Sequence, residues 1–313
     1  MSRKKNSAAR QVQGAYRQDT LARILTMPEQ DFGAAYKMET VKTEGDGLPR
    51  GSWRRGSLPA DYYHYKDNGS SVLAVAHLDT VVRPDRRAPR FSRTRGGPLV
   101  VSGALDDRLG AYVILDLLPK LGITCDWLLT VGEEDGLSTA ESFTPGKDYD
   151  HVIEFDRGGT DVVMYQYEDD ESCERVEACG AKVGKGSFSD IAYLDHLGVK
   201  AFNWGAGYAG DYHSERGYAH LNDTFAMTAK YLLFHEQNAG VTMPHDPQAA
   251  YGPYGSYDSE DTLLECEVCG AKAVYLDDDY CLACLSCVYC LMTEDEGCLC
   301  YKRHALSGKA LIR

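Results

Sequence analysis

Short apolar runs that stop at an acidic residue or a histidine constrain the fold of this 313-residue chain most strongly. Runs of this length, rich in β-branched, Leu and aromatic residues, are typical of buried strands. The longer segments between them carry apolar residues at helical spacing. The predicted strands are Tyr62 to Tyr65, Val72 to Ala76, Trp127 to Val131, Val152 to Phe155, Val162 to Tyr167 and Lys200 to Trp204, and the predicted helices cover 16–27, 110–122, 188–197 and 223–237.

Strands that alternate with helices along a chain favour an α/β fold. We therefore expect a three-layer sandwich around a mostly parallel, mixed sheet, and a hydrophobic fraction of 43% is sufficient for its core. The predicted α/β domain covers residues 1–238. A stretch rich in Gly, Pro, Tyr and Asp over 239–261 is predicted to be a linker, and a small cysteine-rich module follows over 262–313. The basic N-terminus, MSRKKNSAAR, is expected to be a frayed, solvated tail.

Charge and hydropathy argue against several classes of partner. The formal net charge of −14 disfavours general affinity for nucleic-acid phosphates. No apolar run approaches the length needed to span a bilayer, so no membrane association is expected. The N-terminus has no apolar stretch of the kind found in a secretion signal, and a cytoplasmic location is therefore expected.

Five segments place acidic or histidine side chains where strands should end. In AVAHLDTV, His77 and Asp79 face the same way on a strand, so Asp79 can hold one imidazole nitrogen while the other faces a metal. A buried histidine beside a turn aspartate would give the same pattern. Taken singly, each of the other segments also suits a helix cap or a charged surface turn. They are SGALDDRLG, LLTVGEEDG, HVIEFDRGG and GAGYAGDYHSERG, which contain Asp106, Glu133, Glu134, Asp156 and His213.

The order of these segments, His-x-Asp, Asp-Asp, Glu-Glu, Asp and His, resembles that of the co-catalytic dinuclear zinc exopeptidases. That clan includes aminopeptidases, tripeptidases, carboxypeptidases and acylases, and the resemblance covers roughly residues 70–235. It implies two zinc ions, or cobalt or manganese, and a cis peptide bond between Asp106 and Asp107. It also implies these roles: Asp106 bridges the metals, His77 and Asp156 complete one site, Glu134 and His213 complete the other, Glu133 is the general base, and Asp79 orients His77.

The resemblance implies a hydrolase that cleaves a peptide or N-acyl amide bond with a metal-bridging water and a glutamate base, most simply an aminopeptidase-like exopeptidase. The gaps 77–106 and 156–213 are too short for the lid domain that some relatives insert. Relatives often carry a Glu four residues after the last His, where this chain has Gly217. Two alternatives stay open: a non-catalytic binding protein on the same fold, which recruits a protein partner through the cysteine module, and a cyclase or amide-forming variant.

Six arginines fall within thirteen residues in VVRPDRRAPRFSRTRGG, directly after the segment that holds His77. This concentration is unusual in an acidic chain, and it indicates either recognition of an acidic substrate or a solvated loop paired with the protein's own acids. Arg86, Arg87 and Arg90 are the predicted substrate-binding residues.

Eight cysteines form two consecutive patterns, CxxC-x11-CxxC and CxxC-x7-CxC. Paired thiolates at this spacing predict a zinc-ribbon-like module with two structural zinc ions, paired either sequentially or by interleaving. An iron–sulfur cluster is the alternative, although no proline follows in the ferredoxin manner. The acidic character of the module argues against nucleic acid and favours either a protein partner or a role as a cap on the catalytic domain. The predicted ligands are Cys266, Cys269, Cys281, Cys284, Cys287, Cys290, Cys298 and Cys300.

Overall fold

A computed structural model describes residues 2–43, 62–84, 87–95, 97–186 and 188–247, together with four short strands nearer the C-terminus. The chain divides into two units, Met1–Ala250 and Tyr251–Arg313. Within the described residues, no helix combines the length and the apolar character that a membrane crossing requires.

The first unit is built on a seven-stranded mixed sheet with the order β1-β2-β6-β3-β7-β9-β8. Its four central strands, β6, β3, β7 and β9, run parallel, and β1, β2 and β8 add antiparallel edges. Parallel neighbours place their carboxyl ends at the same edge of a sheet. The strands are β1 (Glu39–Lys42), β2 (Tyr62–Lys66), β3 (Val72–His77), β6 (Asp126–Thr130), β7 (His151–Glu154), β8 (Val162–Val163) and β9 (Ala201–Trp204).

Every residue of β3, β7 and β9 is buried. Successive side chains of a strand point to opposite faces, so both faces of the sheet are covered and the unit has three layers. The expected α/β sandwich around a mostly parallel, mixed sheet is therefore confirmed. The covering helices are α1 (Ser2–Ala15), α2 (Gln18–Thr26), α3 (Asp31–Tyr36), α4 (Arg108–Tyr112), α5 (Leu118–Lys120), α6 (Asp170–Ala178) and α7 (Leu221–Asn238), and a π-helical turn, Val113–Leu117, joins α4 to α5.

The expectation of a frayed N-terminal tail was wrong. Helix α1 packs against α7, and it buries Ala8 and Val12 in the core. Burial of these two apolar residues, four apart and so on one face of the helix, explains why the segment is ordered despite its basic start.

Two further expectations need correction. The segment predicted as a strand over Val162 to Tyr167 is a strand only over Val162–Val163, because Tyr165 has a positive φ of 49° and begins a 3-10 turn. The predicted helix over 188–197 is a pair of 3-10 turns, Asp190–Tyr193 and Asp195–Leu197. The second turn ends at Gly198, whose φ of 66° suits glycine.

A smaller sheet with the order β10-β11-β5-β4 is a feature that the sequence did not predict. Five residues of the presumed arginine loop, Arg90–Thr94, belong to it as strand β4, which pairs with β5. The strands are β4 (Arg90–Thr94), β5 (Gly97–Val101), β10 (Tyr208–Ala209) and β11 (Tyr218–His220).

The second unit contains four short strands, which form two antiparallel pairs. Of the eight predicted cysteine ligands, only Cys281 lies within the described residues, in the last of these strands, and the structure describes its backbone alone. The other seven, and most of the predicted linker, lie outside the described residues. The strands are β12 (Leu264–Glu265), β13 (Lys272–Ala273), β14 (Tyr275–Asp277) and β15 (Tyr280–Cys281).

Candidate metal centre

The predicted site residues converge at the carboxyl edge of the parallel strands. His77 is the last residue of β3, Glu133 and Glu134 follow β6, and Asp156 follows β7. His213 reaches the same place from the loop between β10 and β11. Asp106, just before α4, completes the cluster, and ligand atoms of His77, Asp106 and Asp156 lie within 4.8 Å of one another.

The hydrogen bonds of His77 fix which of its nitrogens can bind a metal. Nδ1 lies 2.9 Å from the main-chain oxygen of Asp79, which can only accept, so Nδ1 carries the proton. Nε2 is left facing the cluster, 3.1 Å from Asp106 Oδ1. Asp79 was expected to orient His77 through its carboxylate, but Oδ1 is 3.6 Å away and the carbonyl makes the closer contact. The Asp79 carboxylate accepts a hydrogen bond from the backbone N–H of Glu134 instead.

Asp106 lies between the two imidazoles. One carboxylate oxygen is 3.1 Å from His77 Nε2, and the other is 3.0 Å from His213 Nε2. The peptide bond between Asp106 and Asp107 is cis, as expected. Only glycine fits at position 110, because a Cβ there would lie 2.2 Å from Asp107 Oδ1. One carboxylate that faces a separate histidine with each oxygen can serve two cations at once.

Two polar residues hold Asp156 in place. Asn203 on β9 clamps its backbone, because its side-chain oxygen accepts from Asp156 N at 3.0 Å and its amide donates to Asp156 O at 2.9 Å. The buried hydroxyl of Tyr208 lies 2.5 Å from Asp156 Oδ1 and 3.3 Å from Asp106 Oδ1. Tyr208 thus connects the carboxylates of two proposed ligands.

Neighbouring residues of a regular strand point to opposite sides, but the two glutamates do not. Gly132 has a φ of 98°, and residues 133–135 form a 3-10 turn, so Glu133 and Glu134 line the same cavity. Their carboxylates differ in their contacts. Glu134 Oε1 accepts from the backbone N–H of Val81 at 2.9 Å. Glu133 Oε2 lies 3.7 Å from His77 Nε2, and its carboxylate accepts no hydrogen bond from the described residues.

The protonation equilibria of the cluster reveal an excess of negative charge. Burial raises the pKa of Glu133 to about 9 and that of Asp156 to about 7. The charges of neighbouring carboxylates add to this increase, whereas His77 lowers both pKa values. Burial likewise raises the pKa of Glu134 to about 7. Burial alone would lower the pKa of His77, but hydrogen bonds with Asp106 and Asp156 outweigh it and raise that pKa. The carboxylates therefore repel one another unless positive charge is added.

A cavity of about 880 Å³ opens onto this cluster. Acidic side chains form one part of its lining, and aromatic and basic residues form another, among them Tyr165, Phe188, Tyr212 and Lys185. A cavity of this size accommodates a substrate of a few residues. Divalent cations with mixed nitrogen and carboxylate ligands suit the cluster chemically, and zinc is the typical metal for that set.

Sequence reasoning missed Tyr208 and Asn203. Tyr208 sits in the glycine-rich segment before His213, where an aromatic residue in a polar loop could have drawn attention. Asn203 lies inside an otherwise apolar strand, and a side-chain amide in that position indicates a buried hydrogen bond.

The predicted substrate-binding arginines are partly described. Arg87 and Arg90 line a second cavity together with Arg83, which sequence reasoning had not singled out. Arg86 lies outside the described residues.

Comparison with protein-family models finds no match for this chain, and comparison with curated proteins finds none either. Several solved structures are similar to it. A tripeptidase from Staphylococcus aureus is 12% identical, with a TM-score of 0.49 over 69% of this chain and 96% of that one. An aminopeptidase from Bacillus cereus is 12% identical, with a TM-score of 0.43 over 74% and 97%. A TET aminopeptidase from a marine-sediment thaumarchaeon is 11% identical, with a TM-score of 0.44 over 74% and 97%. All three likenesses are distant.

Proposed function

We propose that this chain is a dinuclear zinc hydrolase of peptide or acyl-amide bonds, an exopeptidase of the aminopeptidase type. The observation that carries the proposal is the position of Asp106, whose two oxygens face His77 and His213 at 3.1 and 3.0 Å. A carboxylate with one imidazole on either side could be shared by two divalent cations, each of which would also be bound by one histidine. The order of the ligands along the sequence, which resembles that of the zinc exopeptidases, supports the same reaction class.

The residues fit two cations. Asp106 would be shared, His77 and Asp156 would complete one set, and Glu134 and His213 the other. The raised pKa values of Glu134 and Asp156 support this assignment, since bound cations would supply the positive charge that these buried carboxylates lack. Cobalt or manganese would suit the same donors. When bound, the two metals would act as Lewis acids that polarise the scissile carbonyl and lower the pKa of the attacking water.

The two glutamates divide the remaining work. Glu134 is fixed by Val81, as suits a ligand, whereas Glu133 has no such restraint and its carboxylate faces the same cavity. We assign to Glu133 the role of general base, which takes the proton of the attacking water and passes it to the leaving amine. His77, Asp106 and Asp156 are held by Asp79, Tyr208 and Asn203, so the reacting geometry is set before the substrate arrives.

A substrate panel tests the reaction class. The full chain is incubated with zinc, cobalt or manganese. Three substrate classes are offered: peptides whose N-termini are free or blocked, peptides whose C-termini are amidated, and N-acyl peptides. We expect release of N-terminal residues from peptides with free N-termini, and a chelator should abolish the release. Absence of hydrolysis in all three substrate classes would remove the enzyme proposal and favour the non-catalytic binding protein.

For the cysteine-rich segment we propose two structural zinc ions on the eight predicted thiolates, with a protein as the partner of the module. All the proposed catalytic ligands lie in the first unit. We therefore expect that full-length protein carrying Cys266→Ser and Cys269→Ser contains less zinc by about one equivalent but keeps its turnover of small substrates. The measurement is zinc content and peptidase rate on the same preparation, with the buried cysteine variant Cys179→Ser as the control. Loss of turnover with a metal-loaded catalytic site would contradict this separation.

A further inference from the structure

A second cavity, of about 340 Å³, is built from segments that flank the metal centre in sequence. One part of its lining is Ala104, two residues before Asp106, and another is Glu215, two residues after His213. A residue spans at most ~3.6 Å, so the Cα atoms of Ala104 and Glu215 each lie within ~7 Å of the Cα of a proposed ligand. Part of the cavity wall is therefore formed by residues that adjoin two of the proposed ligands in the chain.

Arginine dominates the charge of this cavity. Three arginines, Arg83, Arg87 and Arg90, line it, and Glu215 is its only acidic lining residue among the described part of the chain. Arg83 and Arg90 have no ion-pair partner among the described residues. In a chain of net charge −14, general electrostatics repel anions, so a local group of arginines is needed to hold one.

The Arg87–Glu215 contact shows what the cavity can bind. Arg87 Nη1 lies 3.0 Å from Glu215 Oε2, which is the contact that an incoming carboxylate would make. The Arg87 side chain is 74% exposed and that of Glu215 38%, and solvent-accessible ion pairs of this kind contribute little to stability. A substrate carboxylate can therefore displace Glu215. Arginine suits such a ligand because its planar guanidinium pairs with both carboxylate oxygens.

We propose that this cavity, whose wall includes residues two positions from Asp106 and from His213, binds a carboxylate of a short peptide substrate. The inference rests on the proposed hydrolase function and adds its substrate class, acidic peptides. The carboxylate can come from a Glu or Asp side chain or from the C-terminus of a di- or tripeptide. Either source presents the same planar anion to Arg83, Arg87 and Arg90.

The test compares metal-loaded full-length protein with the double variant Arg83→Gln and Arg90→Gln, whose replaced side chains have no partner among the described residues. Four tripeptides identify the source of the carboxylate. They combine either Glu or Gln at one position with either a free or an amidated C-terminus. We expect the double variant to lose ~100-fold in kcat/KM on the acidic peptide, mainly through KM, and less than ~3-fold on the neutral amidated peptide. Arg93→Gln with Arg95→Gln is the matched control, because these exposed arginines lie outside the cavity lining, and it should behave as wild type.

A second variant should act in the opposite direction. Glu215→Gln removes the carboxylate that competes for Arg87, so KM for the acidic peptide should fall several-fold while KM for the neutral peptide stays unchanged. A purely structural role for Glu215 would not improve binding of one substrate class. Equal losses on all four peptides, or equal wild-type rates on acidic and neutral peptides, would overturn the inference.

Failure of the hydrolase proposal is distinguishable from failure of this inference. If no peptide is cleaved, titration calorimetry with N-acetylglutamate and N-acetylglutamine amide still measures carboxylate binding directly. Binding of the acidic probe alone, abolished in the double variant, would keep the carboxylate site without hydrolysis. Absence of binding to both probes would overturn the site itself.

Discussion

Replacement of Glu133 by Gln is expected to lower peptide turnover by ~10²–10⁴-fold, the range measured for loss of a general acid–base group. Gln is close in size to Glu, but it cannot take a proton from water. The Glu133 carboxylate lines the site cavity and accepts no hydrogen bond from the described residues, so its removal should disturb neither the fold nor the proposed ligands. The measurement is kcat on the best peptide, with metal content and circular dichroism on the same samples.

Two neighbouring substitutions make this experiment specific. Glu134→Gln should lose one metal equivalent together with activity, because Glu134 is the proposed ligand. Glu141→Gln, at an exposed position on a 3-10 turn, should leave rate and metal content unchanged. Near-normal turnover in Glu133→Gln would show that another group carries the proton.

Asp106→Asn is expected to remove both catalytic metals and to reduce turnover by more than ~100-fold. Groups that only support a metal ligand contribute ~10–100-fold to affinity or activity, and Asp106 contacts both proposed metal-binding histidines itself. Asn keeps the shape of the side chain but removes the negative charge that would lie between two cations.

The difference in metal content between wild type and variant measures the catalytic metals, since any zinc on the cysteine-rich segment is common to both proteins. Asp106→Asn should differ from wild type by two equivalents and His77→Ala by one. Asp161→Asn, at a partly exposed carboxylate paired with Arg157, is the control and should show no difference. A loss of one equivalent in Asp106→Asn would mean that this carboxylate serves a single metal.

The central strands could be predicted from sequence because their signal is local. A mainly apolar run that stops at a polar residue is visible without any knowledge of its neighbours, as in β3 (VLAVAH) and β6 (DWLLT). The apolar stretches of β7 and β9 are shorter and include Glu154 and Asn203. Strands of two or three residues, such as β10 and β11, carry no such pattern. Among the described strands, β10 pairs only with β11, and β11 pairs in turn with β5, which lies more than a hundred residues earlier in the chain.

The N-terminal helix illustrates the same limit. Its first residues are basic and polar, and Ala8 and Val12 are too few to suggest a buried face. Contact with α7, which lies near the C-terminal end of the first unit in sequence, supplies the apolar surface that orders the segment. Most helical stability in proteins comes from such packing rather than from intrinsic propensity.

The sequence by itself determined which residues stand at the ends of the parallel strands, because strand identity and the polar residue that follows each strand are local properties. Tertiary structure alone decided which atoms meet. Asp79 contacts His77 through its carbonyl, and both glutamates line one cavity because Gly132 turns the chain. Tyr208 reaches two carboxylates from strand β10, which is distant in the sequence. Glu215 likewise meets Arg87 from 128 positions away in the chain. Such contacts depend on the order of strands in the sheet and on the backbone conformation of loops, and non-local packing sets both.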